Sequence, residues 1–76
     1  PWSVWECHPA GEELVMLLSG SVEMVLESPT GEEVCCLSKP GEFVLIPAGV
    51  WHTARASAEV TLLFLTPGAG TQHKPV

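Results

Sequence analysis

From Pro1 to Gly49, no interval between one Gly or Pro and the next exceeds eight residues. Pro removes a backbone donor and fixes φ, and Gly opens positive φ, so both interrupt regular structure. Eight residues make barely two helical turns, too few to be stable alone, but they make a full-length strand. This punctuation predicts short strands joined by tight turns. Residues 12–18 contain good helix formers, yet Gly11 and Gly20 confine them to two turns, and no other segment offers an apolar stripe to pack against them.

The period of the apolar residues agrees. Val22, Met24 and Leu26 alternate with Ser21, Glu23 and Glu27, which gives a strand with one buried face. Runs at Leu14–Leu18 and Val22–Glu27 flank Ser19-Gly20, which reads as a two-residue hairpin. "SPTGEE" at 28–33, "SKPGE" at 38–42 and "PAG" at 47–49 are turns. Between and after them lie Val34–Leu37, Phe43–Ile46, Val50–Arg55 and Val60–Thr66. The expected fold is all-β, a sandwich or barrel. Residues 1–66 are assigned to it, and "PGAGTQHKPV" (67–76) is read as a Gly/Pro-rich C-terminal tail or an edge-covering loop. The chain starts without Met, on the strand-like "WSVWE", and is expected to be part of something longer whose earlier residues supply one or two more strands.

Seventy-six residues make one small domain. With 46% apolar and only 16% charged residues, part of the outer surface is expected to be covered by a second copy in a homodimer, which would also protect strand edges. A net charge of −6 repels phosphate backbones, so nucleic acid is not an expected partner. The apolar run Leu14–Leu18 is far too short to span a bilayer as a helix. Cys7, Cys35 and Cys36 form no disulfide framework. Cys35 and Cys36 are strand neighbours on opposite faces, and the expected state is free thiols in the reducing cytoplasm.

The chemistry concentrates in two blocks. The first is Glu6-Cys7-His8, four residues, Glu13, six residues, Gly20. The second is Gly41, five residues, Pro47-Ala48-Gly49, two residues, His52. In a strand, Glu6 and His8 share a face, Glu13 can share one with Val15 and Leu17, and His52 shares one with Val50 and Ala54. Trp51, Thr53 and Arg55 then face out. Two imidazoles and two carboxylates meeting in one cavity would suit iron, manganese, zinc or nickel. His8 and His52 could equally be hydrogen-bonded histidines in a cavity holding only an organic ligand. Glu12 is expected in solvent, and His73 comes near only if the tail folds over the barrel mouth.

These blocks resemble the two motifs of the cupin family, G-x5-H-x-H-x3-4-E-x6-G and G-x5-P-x-G-x2-H-x3-N, over residues 6 to 56. The tail is also similar to that of small single-domain cupins. The resemblance implies a jelly-roll barrel, a double-stranded β-helix, with a divalent transition metal held inside. Carried over, the ligand positions are Glu6, His8, Glu13 and His52. Glu6 stands where the family has its first His, and Ala56 where it has Asn. The resemblance also implies a small-molecule ligand, for which Trp5, Met24, Phe43 and Trp51 are the expected pocket residues; Trp2, Trp5 and Trp51 are otherwise core or dimer-surface aromatics. Activities in the family run from dioxygenation to sugar isomerisation and epimerisation, and the motifs do not choose among them. The alternative is a metal-free module that binds a small molecule, senses it or dimerises, without catalysis.

Overall fold

A computed structural model describes residues 4–76. Trp2 lies outside the described residues. Eight strands follow one another: β1 (Val4–Cys7), β2 (Glu13–Ser19), β3 (Val22–Ser28), β4 (Gly31–Leu37), β5 (Phe43–Ile46), β6 (His52–Arg55), β7 (Thr61–Leu65) and β8 (Gln72–Pro75). They form two antiparallel sheets, one of five strands in the order β4-β3-β6-β1-β8 and one of three in the order β5-β2-β7. No helix occurs among the described residues, and so none is long and apolar enough to cross a membrane.

The core lies between the sheets, where alternate residues of facing strands meet. Val15, Leu17, Val22, Met24, Leu37, Ile46 and Ala54 are buried together there. Along β2 the buried positions are Glu13, Val15 and Leu17. Glu13 therefore occupies an inward position at the end of a core strand, as its parity predicts. Leu17 has no exposed surface, and truncation would leave a cavity that a small domain cannot close. Leu17→Ala is expected to lower unfolding free energy by about 2–5 kcal/mol, measurable as a reduced midpoint in urea.

Ser19-Gly20 does not close a hairpin. β2 pairs with β5 and β7, whereas β3 pairs with β4 and β6. The chain instead crosses here from the smaller sheet to the larger. Gly20 adopts φ 84°, and a Cβ on it would meet the Glu59 carbonyl oxygen at 2.6 Å. The corner needs glycine both for its backbone angle and for this close approach. The hairpin with a tight turn is the next one, where Ser28 pairs with Gly31 around Pro29-Thr30.

The segment after Thr66 is not all loop. Residues 72–75 form β8, the edge strand beside β1, in the register Val4↔Pro75, Trp5↔Lys74, Glu6↔His73 and Cys7↔Gln72. Lys74 fixes it from outside. Its Nζ lies 4.6 Å from the centre of the Trp51 ring and 5.8 Å from that of Trp5, and it donates to Glu27 Oε2 at 2.8 Å. The aromatic faces attract the ammonium while its carbon chain covers them.

Candidate metal centre

β1 and β6 are neighbours with Glu6 directly opposite His52, and directly opposed side chains share a face at about 5 Å. His8 follows the end of β1. Glu13 begins β2 on the other sheet and points across the core toward them. The turn Pro47–Val50 delivers His52: Val50 N–H donates to the Pro47 carbonyl at 3.3 Å, and Gly49 supplies φ 77° at the third turn position, where non-glycine residues are strained. Gly49 N–H also donates to the His8 carbonyl at 3.2 Å. The two sequence blocks are thus tied together through the backbone.

All four residues converge. His8 Nε2 lies 3.3 Å from Glu13 Oε2 and 3.9 Å from Glu6 Oε1, and His52 Nε2 lies 2.9 Å from Glu13 Oε1. The two imidazole centres are 5.1 Å apart. One ligand atom each from Glu6, His8 and His52 fall within 4.8 Å of one another. Metal bonds of about 2.1 Å place neighbouring ligand atoms about 3.0–3.4 Å apart; the two contacts to Glu13 match this, while the 3.9 Å contact to Glu6 and the 4.8 Å span are wider and would have to close around an ion. His8, Glu13 and His52 are buried; Glu6 stands at the rim, and Glu12 is exposed.

The hydrogen-bond partners fix the positions of the ring protons. His52 Nδ1 faces the Val50 carbonyl at 3.1 Å; a carbonyl only accepts, so Nδ1 carries the proton. His8 Nδ1 faces Thr71 Oγ1 at 3.0 Å. The single Thr71 hydroxyl proton goes to the Gly68 carbonyl at 2.9 Å, so the Thr71 oxygen accepts and His8 Nδ1 donates. In neutral rings both Nε2 atoms then present lone pairs to the interior. His8 Nε2, His52 Nε2 and Glu13 Oε1 are buried without an aligned hydrogen bond. Three acceptors turned toward one another need a positive species among them, a proton or a metal cation. The residues present fit a metal on this test.

The electrostatics show how firmly the cluster holds a proton in the absence of a metal. Burial pushes the Glu13 carboxyl up, but the close His52 ring, the hydroxyl that Thr66 donates to Glu13 Oε2, and the charges of His52 and His8 outweigh it and hold Glu13 below its usual range. Burial pulls His52 down, but Glu13 beside it, the Val50 carbonyl and the charge of Glu6 raise it above the usual histidine range.

A cavity of about 370 Å³ adjoins the cluster, lined by Val4, Glu6, His8, Glu13, Phe64 and Thr66. None of the four expected pocket residues is among them. Trp5 and Trp51 sit on the outer face of the five-stranded sheet, against Lys74, because their parity is opposite to that of Glu6 and His52. Met24 is sealed in the core between the sheets. Phe43, paired with Met16, lies on the outer face of the three-stranded sheet and is more than half exposed.

Thr66, Phe64, Thr71 and His73 support the site instead. Phe64 pairs with inward-facing Val15, and counting two residues on reaches Thr66, a signal the sequence did contain. β8 brings His73 Nε2 to 3.0 Å from Glu6 Oε2. Thr71 carries no comparable signal, since its role depends on the loop between β7 and β8. Residues that fix the non-ligating nitrogen of a metal-binding histidine are each worth about 10- to 100-fold in affinity. Thr71→Val, which removes the acceptor for His8 Nδ1–H, is expected to weaken metal binding by about tenfold, read by titration against a competing chelator.

Two facing antiparallel sheets with a cluster of imidazoles and carboxylates at one end define the chain as a double-sheet β-barrel with an internal candidate metal centre. Comparison with family models matches residues 2–67 to the one described as Cupin domain. The chain belongs to the cupin family. Comparison with curated proteins and with solved structures gave no significant match.

Proposed function

We propose that this cupin holds one divalent transition metal ion among Glu6, His8, Glu13 and His52, and binds a small organic molecule beside it. The convergence of three buried acceptor atoms, His8 Nε2, His52 Nε2 and Glu13 Oε1, carries this reading. Two imidazoles and two carboxylates suit iron, manganese, nickel or zinc, and two carboxylates balance the charge of a divalent ion. Cys7 cannot add a soft ligand, because it points to the opposite face of β1 from Glu6.

The chain's own residues have distinct tasks. The Nδ1–H bonds orient both rings, Thr66 holds Glu13, and His73 holds Glu6 at the mouth. Val4 and Phe64 give the cavity apolar walls, and its volume suits a small ligand. A metal bound there would act as a Lewis acid toward a carbonyl or other oxygen-bearing group. Glu6, the most accessible of the four, is the carboxylate best placed to exchange a proton with a ligand.

The experiment is elemental analysis of freshly purified protein, followed by titration with iron(II), manganese, nickel and zinc. About one metal per chain, lost in His8→Ala, is the expected result. Protein that takes up none of the four contradicts the proposal.

The raised basicity of His52 favours a second reading, in which a proton on His52 fills the same place and the cavity binds its ligand without metal. Thermal stabilisation by ligand that persists in a chelator would support it. A cytoplasmic setting is part of the proposal and is supported by the three free thiols, Cys7, Cys35 and Cys36.

A further inference from the structure

Every polar side chain in the wall of the cavity beside the cluster presents an acceptor. Those side chains are Glu6, His8, Glu13 and Thr66, with Val4 and Phe64 as the apolar part of the wall. Glu6 and Glu13 are carboxylates. The His8 ring carries its proton on Nδ1, so its Nε2 lone pair faces inward. Thr66 gives its one hydroxyl proton to Glu13 Oε2, and its oxygen can then only accept.

None of the chain's three Lys and Arg residues belongs to this wall. Each is held elsewhere. Lys39 sits in the turn before β5, where Gly41 N–H donates to the Leu17 carbonyl, about 13 Å along β2 from Glu13. Arg55 has the opposite parity to His52 and lies beside Glu23 on the outer face, with Nε 3.6 Å from Oε1. Lys74 is on that outer face too, between Glu27 and the rings of Trp5 and Trp51.

We infer that this cavity, with the metal centre proposed above on which the inference rests, takes an uncharged molecule bearing a hydroxyl group on an apolar or aromatic body. Two carboxylates already balance a divalent ion, so no net positive charge remains to attract an anion. A carboxylate or phosphate would add negative charge beside Glu6 and Glu13 with no Lys or Arg to pair with it, and it brings lone pairs to a wall of lone pairs. An ammonium ion suits the acceptors, but it has no lone pair and is repelled by a cation. A hydroxyl has both parts: lone pairs for a cation, and a proton for Glu6 at the rim or for Thr66. Val4 and Phe64 cover the carbon skeleton, and an aromatic skeleton can pack on the Phe64 ring. A volume of about 370 Å³ is at the small end of ligand pockets, which suits a compound of about one ring.

The test uses protein loaded with whichever of iron(II), manganese, nickel or zinc it retains, with metal content measured in the same sample. It is titrated by calorimetry with benzyl alcohol, benzoate and benzylamine, which share a ring and differ in the polar group. Benzyl alcohol is expected to bind at least about tenfold tighter than either ion. Val4→Lys places a cation in the wall and is expected to raise benzoate affinity by about tenfold; should that variant fail to fold, the wild-type comparison decides alone. Loaded protein that binds benzoate or benzylamine as tightly as benzyl alcohol, or none of the three at millimolar concentration, overturns the inference and leaves the metal centre standing. A folded Val4→Lys with unchanged benzoate affinity overturns it as well. Protein that retains no metal contradicts the centre itself and the inference with it.

Discussion

His52→Ala is expected to abolish useful metal binding. Structural sites with four ligands bind with about 10–16 kcal/mol, so one ligand accounts for about 3 kcal/mol, or about 100- to 1,000-fold in affinity. The loss should match that of His8→Ala, because both rings are buried and each offers its Nε2 to the cluster. The substitution also removes the 2.9 Å neighbour of Glu13 Oε1, and a buried carboxylate that loses a partner costs about 1–3 kcal/mol. The variant should therefore melt earlier than wild type even in a chelator, and metal should no longer raise its melting temperature. His73→Ala makes the useful contrast. That ring is largely exposed and touches the site only through Glu6, so its loss should weaken metal by about tenfold at most. Equal effects of the two substitutions would contradict the assignment of His52 as ligand and His73 as support.

The second large effect is a reversal of pH dependence by metal. In the protein without metal, His52 is raised above 6.5. Its contribution to stability is complete below pH 6.5 and is lost as pH climbs through the folded-state value. Glu13 is lowered below 4.5, so its contribution is complete above pH 4.5 and is lost as pH falls through the folded-state value. The pair therefore stabilises metal-free protein most between pH 4.5 and 6.5. Metal requires the opposite condition, with both imidazoles neutral. Where His52 is protonated, binding must displace that proton, and affinity drops about tenfold per pH unit. At a metal concentration of 100 times Kd, binding adds about 2.7 kcal/mol. The melting-temperature gain on adding metal should be large at pH 8 and vanish toward pH 5. A gain that does not change between those two values would show that His52 is not displaced by the ion.

Much of the centre was legible before any coordinates, and strand parity is why. Glu13 shares odd numbering with Val15 and Leu17, and His52 shares even numbering with Ala54; in each case the apolar companions fix the inward face. The same rule already argued against two pocket residues. Trp5 has the opposite parity to Glu6, and Trp51 the opposite parity to His52, so neither can enter the chamber those residues face. Phe43 lay beyond the reach of parity, since β5 is apolar on both faces and periodicity cannot say which is buried.

Two features needed tertiary structure. Ser-Gly serves a hairpin and a sheet-to-sheet corner equally well, and only the packing of Gly20 against the Glu59–Val60 backbone distinguishes them. β8 is short, flanked by Gly and Pro, and without an apolar face. It is held by groups distant in sequence: Lys74 by Trp51, Trp5 and Glu27, and His73 by Glu6. Local pattern carries no trace of such contacts. Glu6 in place of the family's first His is matched by His73 arriving beside it, a pairing visible only once β8 is set against β1.

Crystals grown with manganese or zinc, measured at the absorption edge of that metal, give the most direct test. The expected result is one anomalous peak per chain about 2.0–2.3 Å from Nε2 of both His8 and His52, with a Glu13 oxygen at similar distance. A peak bonded through either Nδ1, a peak elsewhere on the chain, or a chamber without one would contradict the account.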